Sequence, residues 1–326
     1  MKEPLYSTAL KESLNLAWNH KLLWLFGIFA TLLGQMGILD ILIKTGKAGS
    51  TFALYPNWLV LPKFIIKSLI QAINNGSEVL WVICLILIIV GLIIFFVFLA
   101  VVSQGAIIHS AAKYIKSRSN KMPDVGQAWH VGVEHFWRLF FINLLKKAII
   151  ILMAVMVGWA TLSVLNSGQG VDVLVFFAIF LIASFIGFVL SFWSIYAAAY
   201  VVVEEFGLWK AIKSSWKLFT DHWLVSIEVA LIILALNFIL ALIVLLGFFV
   251  LFFPTLVIWF ISVMTVNIVL YNIGMFIGLV LFTGFIILLG SFFTVYTTTV
   301  WTYLFMKMHK KGIVSRILHT FYPKMK

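Results

Sequence analysis

Few residues in this chain have the type and setting to do chemistry, and the first is Glu228, a carboxylate set just inside a long apolar run. An acid is expensive in hydrocarbon, so it faces protein or water there and is a candidate for proton or ion coupling; its other reading is a pairing with a neighbouring basic or polar residue. Asp40, near the end of an earlier run, is the other embedded acid. His20, His135 and His222 form a second set, each just ahead of an apolar run. Three imidazoles suit a metal ion, but they are 115 and 87 residues apart, with no local ligand spacing. The expectation is instead that Asn19 and Asp221 cap the helices that follow while the histidines sit at the membrane interface. A third set, Glu204 and Glu205 with His109 and Lys113, has the polar groups a lipid enzyme would need, though nothing in their spacing requires that they meet. No Walker loop, dinucleotide fingerprint, His-Glu-x-x-His pair or Gly-x-Ser-x-Gly elbow occurs. The sequence therefore nominates no catalytic residue, cofactor site or metal site, and a non-enzyme is expected.

What must position these residues is a membrane-embedded scaffold. Apolar residues make up 63% of the chain and charged ones 10%, and the mean hydropathy is +1.14. Several apolar runs exceed the roughly 18 residues that mark a transmembrane helix. In hydrocarbon every backbone N–H and C=O must be satisfied within its own segment or a closed barrel, and these long runs lack strict alternation, so they read as helices. The fold class is all-α, a polytopic transmembrane helical bundle. Met1 to Lys21 is polar and amphipathic and precedes a run of full span length, so no cleaved signal is expected. The single cysteine, Cys84, lies in an apolar run, which leaves no disulfide framework and no multi-cysteine metal site.

About six spans follow, near 22–43, 79–102, 139–165, 173–203, 223–247 and 273–306. The stretch 248–271, with Pro254, either lengthens its neighbours or folds as a re-entrant segment. With six spans the N-terminus, the loops after the second and fourth spans, and the basic tail 307–326 share one side and hold 3, 7, 3 and 6 Lys or Arg, or 19 of 23, when Lys146 and Lys147 at the start of the third span are counted with the loop before it. Lys44, Lys47, Lys63 and Lys67 are left for the other side, so the positive-inside rule puts both ends in the cytoplasm. The net charge of +12 follows from this topology and from attraction to anionic lipid headgroups; no basic recognition domain points to nucleic acid.

Three segments preceding odd-numbered spans look alike: ALKESLNLAWNHKL from Ala9, DVGQAWHVGVEHFW from Asp124 and AIKSSWKLFTDHWL from Ala211. The first and third share Ala9 with Ala211, Lys11 with Lys213, Ser13 with Ser215, Leu16 with Leu218, His20 with His222 and Leu22 with Leu224. The middle copy shares Trp129 with Trp216 and carries His135 in register. In the third copy Trp209, Trp216 and Trp223 recur with Lys210, Lys213 and Lys217 beside them, the pattern of a helix lying at headgroup level. We therefore expect one membrane domain over 1–326 made of three units near 7–120, 121–206 and 207–312, each an interfacial amphipathic helix followed by a transmembrane hairpin. The second spans end alike, Ser194 to Ala199 over Thr294 to Thr299, and Thr294, Thr298 and Thr302 form a stripe. Small and hydroxylated residues of this kind favour close helix packing, as does Gly274-x-x-x-Gly278.

The run from Val201 to Trp223, VVVEEFGLWKAIKSSWKLFTDHW, resembles the junction common in the superfamily named after the glycerophosphoryl diester phosphodiesterase membrane domain and its bacterial and archaeal relatives. The matching residues are Glu204, Glu205, Gly207, Ala211, Ser215 and Trp216. The resemblance implies a six-span membrane domain in a prokaryotic plasma membrane. It implies no chemistry, because where that domain is fused to a phosphodiesterase the reaction belongs to a separate soluble barrel. Three functional classes remain: a non-enzymatic accessory or scaffold contacting lipids or partner proteins, which we expect; a carrier or channel for a small solute or ion; and a membrane-embedded lipid enzyme. A carrier requires a polar cavity at mid-membrane, and a scaffold a dry bundle with a lateral groove.

Overall fold

The computed structural model describes residues 5–34, 79–117, 124–167 and 170–311. Regular structure among these residues is entirely helical: α1 Leu5–Asn19, α2 Leu22–Gly34, α3 Val79–Ser117, α4 Val125–Glu134, α5 Phe136–Ser167, α6 Gly170–Val203, α7 Leu208–Asp221, α8 Trp223–Met264 and α9 Ile268–Lys311. Five of them, α3, α5, α6, α8 and α9, are long and apolar enough to cross a membrane, as in a multi-pass membrane protein. The first expected span begins as the shorter apolar helix α2; its remainder, with Asp40, lies outside the described residues, as do Lys44, Lys47, Lys63, Lys67 and most of the basic tail.

The helices run further than the apolar runs suggest. α8 has 42 residues and α9 has 44. At 1.5 Å per residue α8 is about 63 Å long, against a hydrocarbon layer of about 30 Å. The stretch 248–271 thus extends both neighbours rather than folding as a re-entrant segment. Pro254 sits inside α8, where its missing N–H removes one ladder bond. The reversal is confined to Thr265, Val266 and Asn267: Asn267 N–H donates to the Ser262 carbonyl at 3.0 Å, and Asn267 Oδ1 accepts from the N–H groups of Val269 and Leu270, capping α9.

The chain divides into two compact units, one from Met1–Phe26, Val101–Ala235 and Val295–Lys326, the other from Gly27–Ala100 and Leu236–Thr294. In the first, the core is built from the later turns of α3, α6 and α9, with Ile107, Tyr196, Val201, Leu304 and Phe305 buried. Ala197, Ala198 and Ala199 are buried together on α6, and such small side chains let helix backbones approach closely. Phe192 stacks on Phe219 at 5.5 Å and meets Trp301 edge-on, while Tyr196 shares a 2.7 Å hydrogen bond with Ser226. α5 packs along α6, and α6 against α7.

The short helices α1, α4 and α7 belong to this unit and reach the next helix through the same connection. The backbone N–H of His20, His135 and His222 donates to the carbonyl four residues back, Leu16, Val131 and Leu218, at 3.1 Å in each case. The histidine carbonyl then accepts from Leu23, Leu139 or Ser226 in the following helix. One helix is thereby closed and the next opened at a single residue, which satisfies some of the backbone groups that helix ends leave over. α4 crosses α3 at two glycines, where a Cβ on Gly132 would lie 2.4 Å from the Val102 carbonyl oxygen.

In the second unit glycines also mark the closest approaches. A Cβ on Gly278 would fall 2.4 Å from Thr255 Oγ1 and one on Gly274 2.7 Å from Ile258 Cγ2, so this pair lets α9 lie against α8. Thr31 Oγ1 and Thr294 Oγ1 share a 2.8 Å hydrogen bond, and Phe248 packs on Phe252 and Phe282.

Two glycine substitutions are expected to move stability in opposite directions. Gly132→Ala forces α4 off α3 and should cost about 1–3 kcal/mol. Gly158→Ala, at a helical position with nothing within 4 Å, should stabilise by up to about 1 kcal/mol. Thermal unfolding in mild detergent reads both, and equal shifts of the same sign would contradict the packing described.

Candidate functional site

α7 begins where α6 ends in a tight turn. Glu205 takes a positive φ of 55° and Phe206 N–H reaches back to the Tyr200 carbonyl at 3.2 Å, so a left-handed residue ends the helix. Gly207 then leads into α7, and Ala211 N–H donates to its carbonyl at 2.9 Å. The two acidic residues and the glycine of the junction are thus parts of a helix-to-helix turn. α7 buries Ala211, Ser215 and Leu218, while Trp209, Lys210, Lys213, Trp216 and Lys217 are all exposed. Trp209 is 76% exposed, an unusual position for so large an apolar surface. Lys210 Nζ lies 3.9 Å from the Phe206 ring centroid and Trp193 Nε1 donates to the Ile212 carbonyl, fixing α7 to the end of α6.

The other short helices differ. On α1 the outer face carries Lys11, Leu14, Asn15 and Trp18, and Tyr6, Ala9, Ser13, Leu16 and Ala17 are buried. α4 exposes Gln127, His130, Val133 and Glu134, has no lysine, and turns Trp129 inward to stack on Phe26 at 6.3 Å. α4 therefore carries no tryptophan–lysine face, since it has no lysine and its tryptophan packs on Phe26.

Glu228 is half-buried on α8 and accepts a hydrogen bond from the Tyr6 hydroxyl of α1. Beside it, Tyr6, Ala9 and Leu10 of α1, Val229 and Ile232 of α8, and Val300 and Leu304 of α9 line an apolar hollow of about 170 Å³, open solvent included, with no room for a water molecule. The hollow is not a polar cavity for a solute.

His20 and His135 are buried, whereas His222 is half-buried. His135 Nδ1 lies 2.9 Å from the Val131 carbonyl, and the His20 ring meets Tyr114 edge-on at 6.0 Å. His20 Nε2 and His222 Nδ1 are enclosed with no partner among the described residues. No three His, Cys, Asp or Glu residues among the described ones are grouped to hold a metal. Asn19 Nδ2 donates to Asn15 Oδ1 on its own helix. Glu204 pairs with His309 at 3.9 Å, Lys113 donates to Gln127, and the Glu205 carbonyl faces Arg138. These contacts take the proposed lipid-enzyme set in different directions. Thr298 accepts on its carbonyl from Thr302, and Thr294 bonds Thr31, so the threonine stripe makes helix contacts.

Lys146 and Lys147 fall within the expected span 139–165, but the charge count puts them with the loop before it and does not single them out as a site. They lie in the third turn of α5, both half-buried, beyond an Asn143–Gln104 hydrogen bond of 2.8 Å that joins α5 to α3. The signal was the uncharged run from 148 to 167 that follows them.

Comparison with known proteins adds no relative. No family model, curated protein or solved structure matches the chain.

Burial holds the His20 imidazolium below its usual range near 6.5. Folding thus favours neutral His20. The unfolded chain binds the proton more readily, so this contribution is fully present above pH 6.5 and is lost as pH falls through the window below it. Compared with His20→Asn, the natural protein should lose more thermal stability between pH 7.5 and pH 5; parallel slopes would contradict the buried, neutral assignment.

Proposed function

We propose that this protein is a non-enzymatic accessory or scaffold of the cytoplasmic membrane that holds anionic lipid headgroups on α7, with both termini in the cytoplasm. The observation that carries the reading is the outer face of α7, where two exposed tryptophans and three exposed lysines stand over a buried Ala211–Ser215–Leu218 seam. Tryptophan prefers the boundary between hydrocarbon and water, and lysine stems snorkel from it toward phosphate. The similar backbone connections at His20, His135 and His222, each with the histidine N–H bonded four residues back, support a construction from three related units.

The carrier reading is the weaker one. Its best residue, Glu228, is bonded to Tyr6 beside a hollow that is apolar and closed to water. A lipid enzyme would need its acids and bases at one place, and Glu204 and Lys113 have separate partners.

Surface lysines near an anionic membrane contribute about 1 kcal/mol each. Changing Lys210, Lys213 and Lys217 together to Ala should therefore strongly reduce the anionic phospholipid that co-purifies with the protein, with zwitterionic lipid unaffected. Native mass spectrometry of membrane extracts reads this, and an unchanged complement of anionic lipid would remove the basis for the α7 interface.

A further inference from the structure

We infer that Lys146 and Lys147 on α5, with the Asn143–Gln104 pair one turn away, hold the phosphate of a single anionic phospholipid whose acyl chain lies along α5. Both lysines are half-buried, Lys146 is desolvated by its surroundings, and each adds to the other's positive charge. No salt bridge to either is present among the described residues. Two adjacent cations partly removed from water are costly without an anion, and none of the described acids supplies one.

Depth and shape say which anion fits. The twenty residues from 148 to 167 carry no charge and match the span of a hydrocarbon layer, which puts the two ammonium groups at its boundary. Because α5 side chains tilt toward the helix N-terminus, the lysine stems reach back toward Asn143. Asn143 and Lys147 are one helical turn apart on the same face. That face continues as Ile151, Val155, Trp159 and Leu162, each more than half exposed and spaced by three or four residues. A charged end followed by an apolar stripe of this length suits a phosphate ester carrying a fatty chain. Free phosphate would use the lysines and leave the stripe bare. The site is separate from the α7 face, and its test does not depend on that reading.

The experiment loads delipidated protein with phosphatidylglycerol and counts bound lipid by native mass spectrometry. In protein with Ala at Lys210, Lys213 and Lys217, which lacks the α7 lysines, one lipid per chain should persist. Its affinity should fall roughly thirtyfold when Lys146 and Lys147 are both changed to Gln, from about fivefold per lysine. Lys146→Arg with Lys147→Arg should retain it, and Ala at Lys210, Lys213 and Lys217 should leave this one lipid in place. Undiminished binding by the Gln pair would overturn the assignment. So would displacement of the lipid by millimolar inorganic phosphate, or a co-purifying acidic membrane protein lost with the same substitutions. If the Gln pair does not fold, the natural protein still decides: phosphatidylglycerol should raise its thermal midpoint and diacylglycerol, which lacks the phosphate, should not; equal effects would overturn the site.

Discussion

Hydrocarbon offers no partner to a backbone N–H or C=O, and the architecture follows from that one constraint. Among the described residues, nearly every one lies in a helix, and the few connections between helices carry backbone hydrogen bonds of their own. The three histidine connections pass backbone hydrogen bonds directly from one helix to the next. The turn at Glu205 closes α6 by bonding back to Tyr200, and the reversal at Asn267 closes α8 and caps α9. Pro254 is tolerated within α8 because it gives up a single bond.

Once the backbone is satisfied, lipid gives apolar side chains little reason to prefer one another, and contact depends on shape. The burial pattern reflects this. Along α3, the turns from Ile83 to Phe95 are exposed, while Ala100, Val101, Val102, Ala106 and Ile107 are buried. The buried set is small and branched, and it contains Gly105, which lies against α4. Short amphipathic helices pack where the long helices carry small residues. Some polar groups enclosed there are matched within the chain, Glu228 with Tyr6 and Tyr196 with Ser226; others, such as His20 Nε2 and Ser103 Oγ, have no hydrogen-bond partner among the described residues.

Much of this was legible in the sequence because apolar run length and charge placement are strong signals. The helical class, the long spans, the short helix ahead of the fifth span with its five exposed residues, and the packing role of Gly274 and Gly278 could all be read from residue type and spacing. Helix ends could not, since α3 continues to Ser117 through residues that are polar in type but packed in place, including Ser103 and Ser110. Trp129 and Trp216 occupy matching positions, yet one stacks inside on Phe26 and the other is exposed; that choice depends on tertiary partners that no local pattern contains. Lys146 and Lys147 are overlooked when they are counted as loop charge, although the expected span 139–165 already contains them and α5 carries them in a continuous helix.

The account stands on α7 lying at the level of the lipid headgroups. The most direct measurement is the immersion depth of a spin label at Trp209→Cys, in a Cys84→Ser background in anionic vesicles, with a second label at Val155→Cys as the reference within the hydrocarbon. Collisions with oxygen and with a water-soluble nickel complex should put the Trp209 label at headgroup depth and the Val155 label well inside. A Trp209 label exposed to the nickel complex as fully as in bulk water would contradict the account.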